Sequence, residues 1–206
     1  MKRIFISCAL FLCTISLSAQ TKMTAKEAAL KIADRILDST TYEFKNTKTG
    51  EVYKSVKKLP LSMDVKVACK YNNWHYTNGV TNIALMELAD KVGDRKYDKY
   101  VLKNMNFVFN EGNLEFFRRQ YDQTFKDGGW NAVRKLSWHM IFRGKRLDDN
   151  GPMGASLIEL QMRHPNEAFL SYVNETADHL NYAEPRLVDG TIARLWPHVN
   201  TIWADD

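Results

Sequence analysis

Sliding the chain by 72 residues lays one segment on another, and this offset constrains the fold more than any other feature. Asn78-Gly79 falls on Asn150-Gly151, and Leu85, Glu87 and Leu88 fall on Leu157, Glu159 and Leu160. Tyr97 falls on Phe169, and Tyr100-Val101 on Tyr172-Val173. The shared unit reads as a helix, a tight turn and a second helix, the αα-hairpin. Each hairpin has an apolar face that it cannot bury alone, so such units must stack on neighbours. The chain is therefore expected to be all-α.

The helical pattern extends beyond the repeat. Thr24-Ala25-Lys26-Glu27 reads as a capping box before a helix whose apolar face holds Leu30, Ala33, Ile36 and Leu37. Residues 39–73 carry Gly50, Pro60 and many Lys and Thr, and read as a long connection with little regular structure. Helices are expected over 79–92, 97–110, 114–125, 131–142, 153–162 and 166–182, with turns at Gly93-Asp94, Gly128-Gly129 and Pro165. Residues 185–200, with Gly190 and Pro197, read as a loop with a short strand over 191–195. Residues 113–146 then stand as extra helical material between the two repeats.

The first twenty residues read as a leader rather than as fold. Lys2 and Arg3 precede a short apolar run over 4–17, and Ser18-Ala19-Gln20 supplies small residues for cleavage. The run is too short to span a bilayer. The expectation is a signal peptide over 1–20 and one domain over 21–206, exported to the periplasm or secreted, with no membrane attachment after cleavage. Cys8 and Cys13 leave with the leader, so Cys69 has no intramolecular disulfide partner. Cys69 lies in the apolar alternation Val65-Lys66-Val67-Ala68-Cys69 with no base beside it, which suits a structural thiol better than a nucleophile. The formal charge of +5 falls to +3 without Lys2 and Arg3. That mild basic excess suits an anionic saccharide or a solvated surface. The basic residues are scattered rather than striped, which argues against nucleic acid.

Two acidic clusters carry the chemistry. Leu147-Asp148-Asp149-Asn150-Gly151-Pro152-Met153-Gly154 and Trp203-Ala204-Asp205-Asp206 stand with their aspartates 57 residues apart. The repeat places each at the start of a helix, and stacked hairpins bring such starts to one face. Paired carboxylates are the usual equipment of glycoside cleavage. A general acid near neutral pH needs a raised carboxyl pKa; burial and a second carboxylate raise it, and a helix N-terminus lowers it. The same aspartates also read as ordinary helix caps.

Other residues admit two readings each. Trp74 and Trp203 fit stacking on a sugar ring or packing in a core. His75 and His198 fit orienting a carboxylate or water, or a structural role. Arg194 fits a bidentate fork on a carboxylate or a surface position. His139, His164 and His179 lack metal-ligand spacing. Phe107, Phe109, Phe116 and Phe117 read as core.

Three segments resemble the glycoside hydrolase family 88/105 group, the unsaturated uronyl hydrolases. They are Trp74-His75-Tyr76-Thr77-Asn78-Gly79, the stretch from Leu147 through Gly154 to Leu160, and Asp189-Gly190-Thr191 followed by Thr201-Ile202-Trp203-Ala204-Asp205-Asp206. The turn Val92-Gly93-Asp94-Arg95-Lys96-Tyr97 is also similar, and family 105, the unsaturated rhamnogalacturonyl hydrolases, is the nearest in pattern. The resemblance implies an α/α-hairpin toroid of the six-hairpin type, here truncated to roughly half a barrel. It implies removal of an unsaturated uronic acid from lyase-generated oligosaccharides by hydration of a C4=C5 vinyl ether, with no metal or organic cofactor. It points to Asp205 as general acid and base, and to Asp148 or Asp149 as partner. Adjacency to Leu147 favours Asp148, and counting back from Gly154 favours Asp149. Trp74, Asn78, Arg194, His198 and Trp203 are then the substrate-binding candidates. Family members are about twice as long, so the rival expectation is a non-catalytic fragment that binds saccharide or is inactive.

Overall fold

The computed structural model describes residues 23–143, 147–194, 198 and 200–202. Helix α1 (Ala25–Ser39) opens with the expected capping box: the Thr24 side chain accepts from the Glu27 N–H at 3.2 Å, and Glu27 Oε2 accepts from the Thr24 N–H at 2.8 Å. Four further helices form the two hairpins. They are α2 (Tyr76–Val92) with α3 (Lys96–Val108), and a later pair described below. Gly93 ends α2 in the left-handed region, at φ 71° and ψ 21°, which costs glycine little and lets the chain reverse within a few residues.

Residues 39–73 depart from expectation. They contain a small antiparallel sheet of β1 (Phe44–Asn46), β2 (Val52–Tyr53) and β3 (Val65–Val67) in the order β2-β1-β3. Strands of two or three residues are too short for alternation to show in the sequence. Burial makes them strands: Phe44 is 1% exposed and packs on the rings of Phe107, Phe116 and Phe117. The next helix, α4 (Glu111–Val133), holds the sheet from outside through Gln120 Nε2, which donates to the carbonyls of Ser62 and Val65 at 2.6 and 2.9 Å.

Two helices expected at 114–125 and 131–142 are also revised. α4 runs on to Val133 with a break at Gly129 (φ 61°, ψ −157°), and the second shrinks to a 3-10 turn over His139–Phe142. Phe109, Phe116 and Phe117 are buried in the core as expected, and Phe107 is packed against it.

The second hairpin is α5 (Leu147–Arg163) and α6 (Glu167–Asp178), followed by a π-helical turn over His179–Ala183. α5 begins earlier than the pattern predicted and passes through Pro152. Residues 185–202 hold isolated bridges, Arg186 with Ile192 and Arg194 with Thr201, in place of the expected strand.

α2 and α5 are the main helix contact, and the 72-residue repeat survives in their packing. Leu85 and Leu157 are both buried, as are Tyr97 and Phe169, and Tyr100 and Tyr172. The equivalence breaks on one face. Met86 is fully buried, and its counterpart Ile158 is 37% exposed beside Met162 at 76%. α5 covers that face of the first hairpin, and no described residue covers it on the second. Among the described residues no helix is long and apolar enough to cross a membrane. The fold is that of an all-α glycosidase of stacked helical hairpins, with the sheet as a minor addition.

Candidate active site

The starts of α2 and α5 lie side by side. His75 caps α2, its Nδ1 accepting from the Thr77 N–H at 3.3 Å. Asn78, one turn in, is 7% exposed, and its Nδ2 donates to the carbonyls of Lys70 and Asn73 at 3.0 and 2.9 Å. That clamp fixes the loop that delivers Trp74. Asn73 Oδ1 in turn accepts from the Trp138 N–H at 2.7 Å. Trp138 is held at φ 62°, a left-handed conformation costly for a bulky residue, so this bond and its burial must maintain it.

Beside these residues a cleft of about 170 Å³ opens between the start of α5 and the end of α6. Trp74, Ile141, Asn150, Tyr172, Glu175 and His179 line most of it. Trp74 is 2% exposed, with its ring 6.2 Å from Tyr172 and 6.5 Å from Trp138, so little of it reaches the cleft. Its Nε1 is buried without a hydrogen-bond acceptor among the described residues. An indole N–H in that state costs roughly 1–3 kcal/mol. Burial and the neighbouring Glu175 push the Tyr172 phenol up to about 12, partly offset by Arg118, so it stays a hydroxyl. His179 Nε2 lies 2.8 Å from Glu184 Oε2, and the Glu184 side chain is 6% exposed. This pair spans the π-helical turn. A larger and more open hollow lies along α1, lined by α1 side chains and Tyr71, away from the α5 start.

The expected site residues are distributed as follows. Asp148 and Asp149 occupy the first turn of α5, and their side chains fall outside the described residues, as do Trp203 and Asp205. Trp74 lines the cleft while lying mostly in the core. Asn78 lies under the loop, its amide group bound to backbone carbonyls. Arg194 is 8% exposed, which corrects the surface alternative, and its N–H donates to the Thr201 carbonyl at 2.8 Å. His198 is exposed, and its carbonyl accepts from the Thr201 hydroxyl at 2.7 Å. Cys69 is half-buried, its thiol 3.6 Å from the Ser39 carbonyl. Among the described residues no three His, Cys, Asp or Glu side chains gather as a metal site would.

Sequence reasoning passed over Ile141, Glu175 and the His179–Glu184 pair. Ile141 sat inside an expected helix, and the π turn has no readable period. The repeat could have found Tyr172, since it maps onto Tyr100.

Residues 54–206 match the family model described as Glycosyl Hydrolase Family 88. The chain belongs to glycosyl hydrolase family 88. A search of curated proteins returned no match. The family 88 match runs through the Trp74 loop, both hairpins and both acidic motifs, so the cleft at the α5 start lies inside the matched region.

Proposed function

We propose that this family 88 chain releases an unsaturated uronic acid from the end of lyase-generated oligosaccharides, with rhamnogalacturonan-type products as substrate. The observation that carries the reading is the family match over 54–206, which takes in both aspartate motifs. In the proposed reaction a protonated carboxyl, Asp205, gives its proton to C4 of the sugar's C4=C5 vinyl ether. Water adds at C5 and returns a proton to the carboxylate. The resulting hemiketal opens and frees the remaining saccharide. Asp148 or Asp149 raises the proton affinity of Asp205 and orients the water. Trp74 and Tyr172 line the cleft that would take the sugar, and Arg194, His198 and Trp203 complete the proposed substrate set. Neither metal nor organic cofactor enters these steps. Export to the periplasm or beyond, through the leader over 1–20, belongs to the same proposal.

The experiment is loss of the double-bond absorbance on unsaturated galacturonyl-rhamnose, with unsaturated glycosaminoglycan disaccharides as comparison. Turnover of the first and its abolition by Asp205→Asn are expected. Retained turnover in Asp205→Asn rejects the assigned acid. Preference for the glycosaminoglycan products rejects the rhamnogalacturonan assignment.

A further inference from the structure

Between the two repeats, α4 and the 3-10 turn after it build a second surface beside the cleft. Arg118, Tyr121 and Phe125 stand at i, i+3 and i+7 on α4, so they share one face. Gly129 then turns the backbone, and Trp130 returns against Phe125, their rings edge to face at 5.0 Å. Tyr121 and Phe125 are parallel at 6.4 Å, and Phe142 meets Tyr121 at 5.6 Å. The rings thus run Phe142, Tyr121, Phe125, Trp130 in an unbroken row. Phe125 is 40% exposed and Trp130 45%. The Arg118 guanidinium lies 5.0 Å from the Phe142 ring and that of Arg143 5.8 Å from Trp130.

Two features indicate what such a row receives. Residues 113–146 hold eight Lys or Arg against three Asp or Glu, a surplus equal to that of the whole chain. Two of the three acids are engaged: Asp127 with Gln123 at 2.8 Å, and Glu115 with Arg119 at 3.8 Å; Asp122 neighbours Tyr121. The row also adjoins the cleft along the chain: Ile141 lines the cleft, and the next residue, Phe142, begins the row. Flat exposed rings stack on the C–H faces of sugars, and guanidinium forks take carboxylates in two parallel hydrogen bonds.

We infer that the Phe142–Tyr121–Phe125–Trp130 row, with Arg118 and Arg143, is an accessory binding surface for the distal, uronate-bearing residues of an oligosaccharide whose end occupies the cleft. This rests on the proposed function for the occupant of the cleft, and the surface itself recognises carboxylated pyranose chains.

The test uses a saturated oligogalacturonate, which has the carboxylates but no C4=C5 bond, and its fully methyl-esterified form as the uncharged control. Calorimetric titration of the whole chain should show salt-sensitive binding of the acid form and weaker binding of the ester. Trp130→Ala and Arg143→Gln should each weaken the acid form about fivefold. Unsaturated disaccharide turnover should be unchanged in both, while KM for a longer unsaturated oligosaccharide rises. Equal affinity of wild type and both variants overturns the inference. So does a size-exclusion shift of the wild type that Phe125→Ala/Trp130→Ala removes, because the row would then face another copy of the chain. Binding at the row with no turnover of any unsaturated uronide defeats the proposed reaction and leaves the surface standing.

Discussion

A Cβ placed on Gly79 would lie 2.4 Å from the carbonyl carbon of Pro152 and 2.5 Å from the Met153 nitrogen. Here the starts of α2 and α5 meet backbone to backbone, and the neighbour that would have to yield is a main chain. Its repeat counterpart, Gly151, has nothing within 4 Å.

Gly79→Ala and Gly151→Ala should therefore diverge. The first forces the two helix starts apart and should cost about 1–3 kcal/mol. That is a fall in Tm of roughly 2–12 °C for a chain of this size. The second gains helix propensity, limited by the restriction on a residue before proline, and should move Tm by less than about 2 °C. Thermal unfolding followed by circular dichroism checks both.

Asp98 is buried at the turn side of the hairpins. Its Oδ2 accepts from Arg95 Nη2 and lies 2.6 Å from His164 Nε2, and Arg163 Nη1 is 4.0 Å from its Oδ1. It thus ties the first turn to the second. Asp98→Ala should destabilise by about 2–3 kcal/mol, less than a fully buried pair would, because Arg95 and His164 reach solvent. Urea denaturation should show a lower midpoint at unchanged slope.

Removing the Asn78 amide leaves the Lys70 and Asn73 carbonyls without their donor. Asn78→Ala should cost about 1–3 kcal/mol and loosen the Trp74 loop. Asn78→Asp keeps the shape but supplies no donor, so it should behave alike. Near-ultraviolet circular dichroism of the packed tryptophans reads the loosening, and a native spectrum in both variants would refute the clamp.

Hydrogen bonds from Lys96 and Tyr97 hold the Asp34 carboxyl below its ordinary 3.8. Its contribution is present above that value and is lost as pH falls through the lower folded one. Lys96 is raised above 10.5 chiefly by the same bond, so its contribution is present below 10.5 and lost as pH rises through the folded value. Asp34→Asn should flatten both arms of a stability-against-pH profile relative to wild type. Parallel profiles in the two proteins would show that the bridge contributes nothing.

The two hairpins, their turns and the capping box at Thr24 were legible because each rests on local rules. A period of 3.6, a left-handed glycine at Gly93 and a Thr–Glu pair act within one or two turns of chain. Helix starts such as that of α5 were less so, because Pro152 argues locally against the helix that packing on Gly79 imposes. The sheet over 44–67 exists because Phe44 finds three rings and Gln120 finds two carbonyls, all more than 50 residues away.

The candidate site divides in the same way. The paired carboxylates were legible as residue types, and the family resemblance of their motifs named Trp74 and Asn78, since short motifs keep residue type and order whatever each side chain meets in the fold. Tertiary structure alone decided that Trp74 is almost wholly buried, that Asn78 binds backbone, and that Glu175 and His179 line one cleft. Burial and close approach are properties of packed neighbours, and no local pattern encodes which distant residue a side chain will meet.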